Sequence, residues 1–182
     1  GSELAGVQNL WSLDHTQRLL NATEGVEQPR VLMIGAGFIG FIMLNAMHKR
    51  GWQLSVVERE SHVLPRMLNS EAAGIVQSWL TSRGIDLHCG AAVESIAEAA
   101  DGSKTVTLSN GTTVSADVVI VAIGIKTNLD FLEGSGVETD QGILVNAQMQ
   151  TNFPHIYAGG DVAQGPVLGS DQKEVHPIQP TA

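Results

Sequence analysis

The chain has 182 residues, 43% of them hydrophobic, 16% charged and 20 of them glycine; at about 150 residues per domain this is one medium globular domain with extensions, not a collagen, coiled coil or disordered chain. Ten Lys and Arg against nineteen Asp and Glu leave a net charge of −9, and the longest basic run is His48-Lys49-Arg50, so nucleic acid is not an expected partner. A lone cysteine, Cys89, allows no internal disulfide or CxxC pair, and the longest apolar runs, Val118 to Ile123 and Phe38 to Leu44, fall far short of the roughly 20 residues of a membrane span, so the expected location is the cytoplasm, away from the membrane.

Gly1-Ser2 stands where a start methionine would be and is read as a cloning remnant on an expressed fragment; no signal segment follows it. Residues 3–29 are polar and mixed, with one short helix expected to be capped by Asp14 and to turn Leu19 and Leu20 toward a neighbour. Val31-Leu32-Met33-Ile34 is a continuous apolar run ending at Gly35, the pattern of a strand buried on both faces of a parallel sheet. A helix follows from Phe38 to Arg50, closed by Gly51, and a second strand runs from Gln53 to Glu58.

The next helix is expected from Asn69 or Ser70, with Ala72, Ile75, Val76, Trp79 and Leu80 at helical spacing before Gly84. Ile85 to Cys89 reads as a third strand. Val106 and Leu108, then Asn110-Gly111, then Val114 describe a hairpin whose turn dipeptide supplies positive φ angles. Val118 to Ile123 returns as a buried strand ending at Gly124, and Ile143–Val145 and Ile156–Ala158 are two further strand candidates. Strands alternating with helices, plus one antiparallel excursion, give an α/β class.

The chemistry lies in Gly35-Ala36-Gly37-Phe38-Ile39-Gly40, a GxGxxG that follows a strand and opens a helix. Gly35 permits a tight turn, Gly37 lets a pyrophosphate approach the backbone, and Gly40 lets helix and strand pack closely. The free N–H groups and dipole of the helix N-terminus, around Phe38 and Ile39, then face the anion. Eighteen residues after Gly40, Glu58 ends the second strand, where a carboxylate accepts the ribose hydroxyls and repels a 2′-phosphate, so NADH is expected over NADPH. Arg59 beside it is placed to contact the adenosine or, if Glu58 does not serve, a 2′-phosphate.

Val31 to Glu58, with Leu64-Pro65-Arg66, the strand Val118 to Gly124 and the run Thr151-Asn152-Phe153-Pro154-His155-Ile156-Tyr157-Ala158-Gly159-Gly160-Asp161, resembles the FAD-dependent pyridine nucleotide-disulfide oxidoreductase superfamily, closest to its NADH oxidase, nitrite reductase and rubredoxin or ferredoxin reductase-like branches. The resemblance implies a Rossmann-like NAD(P)-binding domain over residues 27–148, with a parallel sheet and an antiparallel β-excursion. Residues 1–26 and 149–182 become crossings to and from an FAD domain of the same polypeptide. It also implies that Asp161 and Gly160 contact FAD, that Ile123 and Gly124 line the nicotinamide end of NAD, and that Val93 packs near the adenine. Only 34 residues precede Gly35, too few for the family's first FAD-binding GxGxxG. Many relatives continue GxGxxGxE with a glutamate near the flavin, where this chain has Ile42. Arg66 matches a basic position of varied role.

By the same resemblance, hydride passes from NADH to FAD and electrons go on to an unidentified acceptor. No side chain here is assigned a catalytic proton transfer. The six histidines, His15, His48, His62, His88, His155 and His176, show no HxxxH or HExxH spacing, so no metal is expected. Two other readings stand beside this one: a non-catalytic NAD(H)-binding module, and an S-adenosylmethionine-dependent methyltransferase, which shares the glycine turn and the acid but nothing after residue 140. A short-chain dehydrogenase is excluded because the only tyrosine, Tyr157, has Asp161 rather than lysine four residues on.

Overall fold

A computed structural model describes residues 1–124, 126–170 and 172–175, which form two compact units, residues 1–124 and the described residues after them. His176 lies outside the described residues.

The first unit is built on a five-stranded parallel sheet. Its strands are β1 (Val7–Asn9), β2 (Arg30–Ile34), β3 (Gln53–Glu58), β4 (Asp86–Cys89) and, after three intervening strands, β8 (Val118–Val121). Their spatial order is β1-β8-β2-β3-β4, all pairs parallel. The continuous apolar runs follow from burial on both faces. Val31 and Met33 of β2, Leu54 and Val56 of β3, and Val118 and Ile120 of β8 pack into one core with helix residues Leu19, Leu44, Met47, Ala73 and Leu80. The alternate residues Leu32, Val57 and Val119 pack into a second core with Val106, Leu108, Val114 and Ala116.

Those last four residues belong to the antiparallel excursion, a three-stranded sheet of β5 (Val93–Glu98), β6 (Lys104–Leu108) and β7 (Thr113–Ala116). The helices α1 (Leu13–Ala22), α2 (Phe38–His48) and α3 (Ser70–Thr81) supply the other face. The expected α/β architecture with a parallel sheet and an antiparallel excursion is therefore the one observed.

Several local expectations change. The cap of α1 is Ser12, whose Oγ accepts the His15 N–H at 3.2 Å, and Asp14 sits inside the first turn. Of Leu19 and Leu20, only Leu19 is buried. In the 108–112 turn only Gly111 has a positive φ, +81°, while Asn110 accepts the Thr112 N–H on Oδ1 and serves as a turn-holding side chain instead. β1 and β5 had no sequence signal: the first has three residues, and the second does not alternate and turns four of its six residues to solvent.

The second unit holds β9 (Ile143–Leu144), β10 (Ala163–Pro166) and β11 (Lys173–Val175) in the order β11-β10-β9. Ile156–Ala158 is not a strand. The Thr151 hydroxyl accepts the Phe153 N–H and donates to the Ile156 carbonyl, both at 3.1 Å, so Pro154 sits in a closed turn, leaving one isolated bridge between Gln150 and Tyr157. The unit is organised around buried Gln164, whose Oε1 accepts the N–H groups of Gln141 and Gly142 and whose Nε2 donates to Asp140 and to the Lys173 carbonyl.

Candidate functional site

The glycine-rich loop turns at the carboxyl end of β2, between β3 and β8. Each glycine meets a different constraint. Gly35 has φ +99°, and a Cβ there would lie 2.5 Å from the Ala122 carbonyl oxygen, so backbone conformation and close approach both demand glycine. A Cβ on Gly40 would lie 2.8 Å from the Met33 sulfur, the close helix–strand packing expected of it. Around Gly37 there is nothing within 4 Å of the Cβ position. Its glycine is not required by the protein's own packing, and the space it leaves open lies at the start of α2.

Gly37 is also the N-cap of α2, with no side-chain cap bond, and no acidic residue occupies the first turn. The first intrahelical bond there is Phe41 N–H to the Gly37 carbonyl. The N–H groups of Phe38, Ile39 and Gly40 therefore have no helical carbonyl to meet, and the positive dipole end is uncompensated. Phe38 is about two-fifths exposed and Ile42 half exposed, because α2 is apolar nearly all round. Ile42, where many relatives of the resembled family carry glutamate, brings no charge to this face.

Glu58 is buried, and its carboxylate is oriented from two sides. Oε2 accepts the Ala36 N–H at 2.8 Å and Oε1 the Glu60 N–H at 2.9 Å. A carboxylate has about four lone-pair sites, so two remain for hydroxyl donors. Arg59 is exposed and pairs with Glu60 at 3.1 Å, keeping its charge at the surface. Cys89 is the register partner of Glu58 on β4; burial and then the Glu58 charge push its thiol pKa upward.

The structure thus brings Gly35, Gly37, Phe38, Ile39, Gly40 and Glu58 together at the carboxyl end of the parallel sheet. Ile123 and Gly124 join them at the end of β8, since the Gly35 Cβ position is 3.3 Å from the Ile123 nitrogen. Ile123 is three-quarters exposed. Val93 starts β5 and packs, partly buried, against the second core. Gly160 and Asp161 lie in the second unit, in a 3-10 turn over Gly160–Val162, with Gly160 at φ +75° and Asp161 exposed. Sequence reasoning missed the backbone role of Ala36 and the unusual backbone of Leu64, at φ +52°; the proline that follows Leu64 argues for extended backbone there, so the sequence held no signal for it.

Among the described residues no group of three or more His, Cys, Asp or Glu side chains is placed to hold a metal ion, and no helix is long and apolar enough to cross a membrane.

The sequence profile of the pyridine nucleotide-disulphide oxidoreductase family matches residues 2–176. The chain is 37% identical over 157 residues to a rubredoxin-NAD(+) reductase of Acinetobacter baylyi, covering 86% of this chain and 39% of that protein. It is 35% identical over 164 residues to a nitric oxide reductase FlRd-NAD(+) reductase of Aeromonas salmonicida, covering 89% and 42%. Among solved structures it resembles a NAD-dependent persulfide reductase from A. fulgidus, with TM-score 0.88, 31% identity, and 97% of this chain and 33% of that one covered. A ferredoxin reductase from Rhodopseudomonas palustris aligns with TM-score 0.86 and 29% identity, covering 97% and 43%. The chain spans about two-fifths of the length of the curated relatives it matches.

Proposed function

The chain belongs to the pyridine nucleotide-disulphide oxidoreductase family, and from that premise we propose that its first unit binds NADH on behalf of a flavin-dependent oxidoreductase. The observation that carries this reading is the space open at Gly37 before an uncapped helix N-terminus, beside the buried, doubly oriented carboxylate of Glu58. The N–H groups of Phe38, Ile39 and Gly40 take the pyrophosphate, the remaining lone pairs of Glu58 take the adenosine ribose hydroxyls, and Arg59 borders the adenosine. Val93 packs near the adenine, and Ile123 and Gly124 border the nicotinamide.

When bound, the reduced nicotinamide supplies a hydride for the flavin of an FAD domain in the same polypeptide. This chain's contribution is to bind and orient the dinucleotide and, through Phe38, Ile42 and Ile123, to present an apolar surface that keeps water from the reactive end. In this reading residues 27–148 make the nucleotide domain, with its dinucleotide-binding groups all within the first unit, and 1–26, which add β1 and α1 to that unit, and 149–182 lead to and from the FAD domain, where Gly160 and Asp161 meet the flavin. The acceptor beyond the flavin is a protein or small molecule of the class served by the relatives, one of which is named for rubredoxin. A cytoplasmic setting, consistent with the lone cysteine, completes the reading.

Calorimetric titration of the chain with NADH and then NADPH tests it. Saturable binding with preference for NADH supports the assignment; absence of heat with both nucleotides would sink it. A second reading is a non-catalytic NAD(H)-binding module, since every group of the site described serves binding and orientation. Flavin absorbance and NADH-driven dye reduction by a longer polypeptide containing this sequence separate the two. The family match removes the methyltransferase alternative.

A further inference from the structure

Two residues besides glycine have positive φ among those described, and one of them, Leu64, touches the glycine-rich loop. Its φ is +52°, a region that costs a non-glycine residue about 1 kcal/mol or more. The cost is compounded by Pro65, because a residue preceding proline is driven toward extended backbone. Such a conformation persists only where the surroundings over-determine it. Here they do. Val63 is fully buried, and Leu68 packs on the same core. Between them the Leu64 carbonyl accepts the N–H groups of Met67 and Leu68 at 2.9 and 3.0 Å.

The remaining main-chain group of Leu64, its N–H, donates to the Ala36 carbonyl at 2.9 Å. Ala36 is itself fully buried, and its own N–H is the donor to Glu58 Oε2. The middle residue of the Gly35-Ala36-Gly37 turn is therefore gripped on both main-chain groups, its N–H by Glu58 at the end of β3 and its carbonyl by Leu64 in the segment that follows. An extended Leu64 would point its N–H elsewhere and leave the Ala36 carbonyl buried without that partner.

We infer that Leu64 is a positioning residue for nucleotide binding: its left-handed backbone aims the N–H that fixes Ala36, and through Ala36 the direction of the N–H groups at the start of α2. This rests on the dinucleotide reading of the site. Leu64 acts through Ala36.

The test compares Leu64→Gly, Leu64→Asn and Leu64→Val in the same chain, with three readouts: thermal unfolding, NADH titration, and hydrogen exchange at the residue 64 amide. Glycine and asparagine accept positive φ, so both variants keep the exchange-protected amide and bind NADH within about twofold of the wild type. Valine, branched at Cβ, resists that region. Leu64→Val is expected to lose amide protection and bind NADH about tenfold more weakly, the equivalent of roughly one backbone hydrogen bond, while still unfolding cooperatively. A merely structural role would instead scale affinity with melting temperature across all three variants, and that pattern would overturn the inference. So would Leu64→Val binding like wild type, or an unprotected Leu64 amide in the wild type. Should Leu64→Val fail to fold, the glycine and asparagine variants still decide: weaker binding with a protected amide overturns the inference. If the wild type binds no nucleotide but protects the Leu64 amide, the dinucleotide reading has failed and the clamp on Ala36 has not.

Discussion

The carboxylate of Glu58 accepts the main-chain N–H of Ala36 at 2.8 Å, across 22 positions of sequence. The acid at the end of the second strand is thus part of the architecture of the glycine-rich loop before any ligand arrives. Its second oxygen, on the Glu60 N–H, holds the carboxylate plane in place. One side chain therefore positions the glycine-rich loop and, in the proposed reading, offers its remaining acceptors to the ribose.

This double role predicts the behaviour of Glu58→Ala. If Glu58 only repelled a 2′-phosphate, its removal would raise NADPH affinity. Because it also satisfies two N–H groups, one of them buried, its loss leaves them unpaired at about 1–3 kcal/mol for the buried one. The expected result is weaker binding of both nucleotides and a lowered melting temperature. Isothermal titration with both cofactors and a thermal melt check it; an unchanged melt with a gain in NADPH affinity would show that the acid acts on specificity alone.

The glycines separate stability from binding. Gly35→Ala puts a methyl 2.5 Å from the Ala122 carbonyl oxygen at φ +99°, so the chain is expected to lose several degrees of melting temperature or fail to fold. Gly37→Ala meets nothing within 4 Å and sits at extended backbone, so stability is expected to hold within about 1 kcal/mol. Its nucleotide affinity is nevertheless expected to fall at least about tenfold, because the methyl occupies the approach of the diphosphate. Parallel melts and titrations of the two variants decide; a Gly37→Ala chain that binds NADH normally would place the ligand elsewhere.

The elements with strong local signatures were legible in the chain. β3 spans Gln53–Glu58 as expected, and α3 starts on the Asn69 cap. The glycine-rich loop could be read because Gly35 and Gly40 answer local demands of backbone conformation and close packing. What could not be read depends on distant partners. β1 is three residues that become a strand only by pairing with β8, and Leu64 adopts its backbone only because Val63, Leu68 and Ala36 hold it. Nothing in the sequence sets Gln164 apart, and its burial is intelligible only once four partners surround its amide.

That amide leads to a prediction for the second unit. Gln164→Leu preserves size but leaves the N–H groups of Gln141 and Gly142 facing an apolar side chain. At about 1–3 kcal/mol for each buried group left unsatisfied, the change is expected to destabilise this unit strongly. Hydrogen exchange should increase across β9 and β10 while the first unit keeps its protection. Uniform loosening of both units would contradict a network confined to the second.

At the amino end of β2, Arg30 and Asp117 are bound through three contacts. The Arg30 main-chain N–H donates to Asp117 Oδ2 at 2.8 Å, its Nε to the same oxygen at 3.3 Å, and its Nη2 to Oδ1 at 2.5 Å. Hydrogen bonds from Arg30 hold the Asp117 carboxyl below the ordinary carboxylate range, against its partial burial. A carboxylate whose folded pKa is depressed adds stability above its unfolded pKa, about 3.9, and that stability is lost as pH falls through the lower folded value. Wild-type stability should therefore fall with acid in the window below about pH 4, and Asp117→Asn should flatten that part of the profile while lowering stability at neutral pH. The pair is partly exposed, at 39% and 25%, so the neutral-pH loss should be modest and should shrink with added salt. Denaturant melts of both proteins from pH 3 to pH 7 measure it; identical acid slopes would mean that Asp117 titrates alike in the folded and unfolded chain.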